Sequence, residues 1–77
     1  MKLKEIRLTL DEILSKRGIT RYELAKMTGI GYAVIHSYYK DRVKRYDKET
    51  LLKICLALDC EVGDILKIVE YEQDREP

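Results

Sequence analysis

Histidine occurs once in this chain, as His36, cysteine twice, as Cys55 and Cys60, and serine twice, as Ser15 and Ser37. These are too few nitrogen and sulfur ligands for a structural zinc site, which takes four. Cys55 reads as a small core residue and Cys60 as a partly buried loop residue. No acid–base pair stands at catalytic spacing around the lone histidine, so no enzymatic function is expected. A phosphate-binding glycine loop is also missing, because Gly29-x-Gly31 is too short for the nucleotide fingerprint. No apolar run approaches the roughly 18 residues of a membrane span. The N-terminal residues alternate charged and apolar side chains without the apolar core of a signal peptide. The expected location is therefore the cytoplasm, and no cofactor is implied. Net charge is small, +1 over 77 residues, and the length suits one domain.

The most informative stretch runs from Thr20 to Lys40. Thr20 and Glu23 form a T-x-x-E capping box that starts a helix at Arg21. Leu24 and Ala25 face inward, and Ala25 is small enough to let a second helix cross closely. Gly29 falls where that helix must end, in a left-handed conformation that glycine accepts. Ile30 plugs the turn. A second helix follows over about 32–40, with Val34, Ile35 and Tyr38 at inward spacings. Two short helices around a tight glycine turn are the geometry that lays a helix in the DNA major groove.

Before this pair, Leu3, Ile6 and Leu8 alternate with charged residues, as in an extended arm or edge strand. Thr9 and Glu12 repeat the T-x-x-E pattern and start a first helix at Leu10, which Gly18 ends. After it, Asp47 caps a fourth helix over about 48–58, whose core stripe is Leu51, Ile54, Cys55 and Leu58. Residues 62–66 read as a short fifth helix with Val62 packed inward. Residues 67–71 alternate again and can pair with the N-terminal arm as a two-stranded ribbon.

Charge is unevenly spread. Residues 70–77 hold four acids and one base, while residues 40–48 hold five bases and two acids. The first reads as an acidic, disordered tail. The second is a basic loop directly after the candidate recognition helix, where phosphate contacts are expected. Its candidates are Lys40, Arg42, Lys44, Arg45 and Tyr46, with Val43 anchoring the loop on the core. Arg21 and Tyr22 join them at the first turn of the second helix, an end that favours anions.

Leu24, Ala25, Gly29, Ile30, Ile35 and Tyr38 carry a resemblance to the Cro/phage-repressor type of helix-turn-helix, also called the xenobiotic-response-element family. The similarity spans roughly residues 8–69. It implies an all-α, five-helix, lambda-repressor-like bundle with the helix-turn-helix at helices 2 and 3. It further implies one DNA-binding domain over residues 1–69, with an arm at 1–8 and the tail at 70–77. By the same resemblance, Tyr32, Ala33, His36 and Ser37 point at base edges. Gln, Asn and Arg, the side chains that pair bidentately with bases, are absent from these positions, so DNA shape is expected to contribute to recognition. Gly31 stands where a capping Ser or Thr is common.

On the fourth helix, Leu52 and Leu56 stand about one quarter-turn away from the core stripe, where the family pattern is usually polar. Such an apolar patch is expected either to be covered by the terminal segments or to form a protein interface, most simply a homodimer. The resemblance implies a DNA-binding transcriptional regulator, a repressor that occludes a promoter on double-stranded DNA. The alternative is an antitoxin- or antirepressor-like module of the same fold whose main surface binds a protein partner.

Overall fold

A computed structural model describes residues 2–72 of the chain. The elements run β1 (Lys2–Leu8), α1 (Leu10–Arg17), α2 (Arg21–Thr28), α3 (Tyr32–Tyr39), α4 (Lys48–Leu58), a single 3₁₀ turn (Val62–Asp64) and β2 (Leu66–Glu72). The five-helix, all-α architecture is thus corrected to four helices and a two-stranded antiparallel sheet. Residues 62–64 make one turn and stop. Gly63 is a poor helix former, and the run from Ile65 to Tyr71 is rich in branched and aromatic residues that suit a strand. Leu66–Glu72 pairs with β1 over seven positions, from Lys2↔Glu72 to Leu8↔Leu66. The ribbon is therefore a main element of the fold.

Glu70, Tyr71 and Glu72, expected in the acidic tail, belong to this strand. Opposite charges face each other at Lys4↔Glu70 and Lys2↔Glu72, which favours the longer strand. The rest of the expected tail, residues 73–77, lies outside the described residues.

All four helices feed one core. Leu10 and Leu14 come from α1, Leu24 from α2, Ile35 and Tyr38 from α3, and Ile54, Cys55 and Leu58 from α4, with Leu8 and Ile65 closing it at the base of the ribbon. Each such aliphatic side chain contributes about 1.5–3 kcal/mol on burial. Val34 and Val62, expected inward, are exposed. Val34 precedes the buried Ile35, and one residue of helical rotation turns it to solvent. Val62 sits in the 3₁₀ turn, so it gains no helical face. No helix among the described residues is long and apolar enough to cross a membrane.

The two T-x-x-E sequences behave differently. At α2 the box is complete: the Glu23 amide donates to the Thr20 hydroxyl oxygen at 3.0 Å, and the Thr20 amide donates to Glu23 Oε1 at 2.8 Å. At α1 the threonine makes no side-chain cap. Thr9 is buried, its amide donates to the Ile65 carbonyl at 2.7 Å and its hydroxyl to the Asp64 carbonyl at 3.1 Å. Thr9 thereby fastens the start of α1 to the start of β2. Asp47 does cap α4, accepting from the Thr50 amide and hydroxyl, each at 2.9 Å. Those hydrogen bonds, the Thr50 amide first, hold its carboxyl below the usual aspartate range.

Candidate nucleic-acid interface

The turn between α2 and α3 is tied by one side chain. The Thr28 hydroxyl donates to the Leu24 carbonyl at 2.8 Å and accepts from the Ile30 amide at 3.1 Å. Gly29 takes φ 75° and returns its amide to the Ala25 carbonyl at 2.9 Å. Ile30 packs on the core beneath the turn. α3 then starts at Tyr32 without a side-chain cap, because Gly31 has none to offer. The core side of α3 is pinned by Ile35 and Tyr38, and the Tyr38 hydroxyl accepts from the Asp47 amide at 3.0 Å. Its opposite side is consequently held at a fixed height above the body.

Five residues from α2 and α3 interlock on that opposite side. The Tyr22 ring stacks on Tyr32, centroids 4.3 Å apart and planes 15° off parallel. Tyr32 stacks in turn on His36, one helical turn along, at 5.9 Å and 24°. Arg21 Nη1 lies 2.8 Å from His36 Nδ1, and the Arg21 guanidinium carbon sits 4.4 Å from the centroid of Tyr39. The spacing of Tyr32 and His36 at i, i+4 was legible as one face. The cross-helix contacts of Arg21 and Tyr22 were not, since nothing in either helix's own period encodes them. Burial first, then the charges of Arg21, Lys40 and Arg42, holds the His36 imidazole below its ordinary pKa.

Of the expected base-reading residues, Ala33 is exposed, and Tyr32, His36 and Ser37 are half-buried. Among the expected phosphate contacts, Lys40, Arg42, Lys44 and Arg45 are exposed on the segment that leaves α3, and Tyr22 is exposed at 67%. Arg21 is half-buried and engaged with His36 and Tyr39. Tyr46 turns the other way: its ring meets Tyr38 edge-on at 6.4 Å, and burial raises its hydroxyl pKa. Val43 packs on the core, as an anchor for the loop must. Asp41 takes φ 57°, a left-handed conformation that Asp tolerates, and its carboxylate accepts from the Leu8 amide at 3.2 Å. The exit of α3 is thereby tied to the ribbon.

Leu52 and Leu56 are 53% and 70% exposed. They line a groove of about 570 Å³ with Tyr46, Leu51, Cys55 and Val62, to which neither strand contributes. Among the described residues, β1 and β2 therefore leave the leucines uncovered. Burial, followed by the neighbouring Cys60, pushes the Cys55 thiol up to about 11, so it stays protonated as a core residue.

Residues 9–70 match the family model of the Cro/C1-type HTH DNA-binding domain. Among curated proteins, the chain is similar to the uncharacterized HTH-type transcriptional regulator YozG of Bacillus subtilis (strain 168). The two are 35% identical over 69 residues, which cover 90% of this chain and 79% of that protein. No solved structure matches the chain.

Proposed function

This chain belongs to the Cro/C1-type helix-turn-helix DNA-binding domain family, and from that premise we propose that it is a sequence-selective transcriptional repressor. It acts by occluding a promoter and binds double-stranded DNA as a homodimer. The observation that carries this reading is the outer side of α3. Exposed Ala33 and half-buried Tyr32, His36 and Ser37 stand in a row above a pinned helix, and four exposed cations follow on the next segment. A row of side chains on a recognition helix is what reading the major groove needs, and cations on the segment that follows suit the flanking phosphates. The regulatory name of the Bacillus relative supports the same reading.

Leu52 and Leu56 supply the dimer seam. A patch of this kind is rarely left to water, and two copies related by a two-fold axis place two recognition helices about one turn of DNA apart. The same patch favours a second reading, an antitoxin- or antirepressor-like module whose main ligand is a protein.

Selection from random genomic fragments, followed by sequencing, tests the proposal. The expected result is a small set of related two-fold sites, with binding that falls steeply as salt rises. His36→Ala and Ser37→Ala should alter the selected motif more than they alter non-specific affinity, since lost base contacts change discrimination rather than charge. Indifferent recovery of fragments would remove the repressor reading in favour of the protein-binding module.

A further inference from the structure

The geometry points to His36 as a specificity-determining residue that offers DNA a hydrogen-bond donor and no acceptor, with Arg21 as the positioning residue that imposes this. The inference rests on the DNA-binding reading above and goes beyond it in assigning Arg21 to a histidine instead of a phosphate. A guanidinium has donors only. Its Nη1, 2.8 Å from His36 Nδ1, requires that nitrogen to be unprotonated and accepting. The ring proton then resides on Nε2, across the ring from the bond to Arg21.

Both members of the pair are held. The Arg21 guanidinium lies over the Tyr39 ring at 4.4 Å, and the His36 ring plane is set by the stack on Tyr32 at 5.9 Å, itself backed by Tyr22. Flipping the imidazole would set its Cδ2–H against the guanidinium and leave Arg21 without an acceptor, and moving the ring proton to Nδ1 would set two donors facing each other. Protonating it does the same, in a field already made by Arg21 on α2 and by Lys40 and Arg42 beyond α3. The neutral, Nε2–H form is the one this cage accommodates.

A donor-only imidazole discriminates among bases. In the major groove, guanine shows N7 and O6, adenine N7 and thymine O4, all acceptors, whereas cytosine shows only its N4 amino donors. The base that meets His36 is therefore any but cytosine. One net hydrogen bond gained or orphaned corresponds to roughly tenfold discrimination.

The test has two arms on the full chain. In the first, long-range ¹⁵N–¹H spectra of the DNA-free protein read the tautomer directly. The wild type should show a single Nε2–H form with unprotonated Nδ1. Arg21→Met should show averaged tautomers, and Arg21→Lys, which keeps donors and offers no acceptor, should restore the single form. In the second, binding sites are selected with each variant. Wild type and Arg21→Lys should exclude cytosine about tenfold at one position per half-site, and Arg21→Met should lose that exclusion alone. A protonated Nδ1 in the wild type would overturn the proposal. So would an Arg21→Met variant that binds every sequence equally less tightly, because Arg21 would then be a phosphate contact. A single Nε2–H tautomer in a protein that selects no site at all would instead sink the DNA reading, and the specificity claim with it.

Discussion

On the outer side of α3 the large side chains hold one another, whereas on the outer side of α4 they do not. Tyr22, Tyr32, His36, Arg21 and Tyr39 form a continuous run of stacked and hydrogen-bonded groups. Leu52 and Leu56 stand largely in water, one helical turn apart along the same groove. The first surface has already lost its side-chain freedom, so a polar ligand that fits it binds without a further ordering cost. The second has no directional groups, and its only favourable exchange is to lose water against another apolar surface. A polar, patterned partner suits α3, and a second protein surface suits α4.

The sharpest way to break this comparison is to make the α4 surface polar. Leu52→Glu combined with Leu56→Lys keeps good helix formers at both positions. In sedimentation, the wild type is expected to run as a dimer and the variant as a folded monomer. Its affinity for a two-fold site should fall on the order of 100-fold or more, because the second half-site no longer binds as a linked event. Unchanged mass and unchanged affinity would show the leucines to be idle surface.

A smaller effect is expected from loosening α3 alone. Tyr22→Ala removes one layer of the stack without touching the core, since Tyr22 is exposed. An aromatic pair of this geometry is worth about 0.5–1.5 kcal/mol beyond its area. DNA affinity measured by fluorescence anisotropy should drop by up to about tenfold, with the oligomeric state intact. Equal loss in the oligomeric state would mean that the two surfaces are not independent.

How much of this was legible in the sequence depends on whether the partner was local. The Thr20–Glu23 box and the Gly29 turn were readable because both partners lie within one helical turn. Thr9 and Glu12 have the same spacing, yet Thr9 bonds Asp64 and Ile65, more than fifty residues away. The signal was identical, and a tertiary partner won. The ribbon was legible as two alternating runs, but its reach back to Leu66 was not, and that pairing cuts the expected fifth helix to one turn. In the site, the i, i+4 face of Tyr32 and His36 was readable, and so was the basic run that follows. Arg21 was assigned to a phosphate from its place at a helix start, while its contacts with His36 and Tyr39 depend on how α2 crosses α3. The departure of Leu52 and Leu56 from a polar pattern was legible, and their exposure keeps the interface reading open to test.

The central claim is that the surface around α3 meets DNA, with the exposed cations beyond it on the phosphates. The salt dependence of binding measures this most directly. Each phosphate neutralised contributes about 0.9 to the log–log slope. Changing Arg42, Lys44 and Arg45 together to Ala should therefore lower the slope by roughly 2.7 per bound subunit and weaken binding at low salt. A slope identical to that of the wild type would contradict the account, because it would take this segment off the DNA.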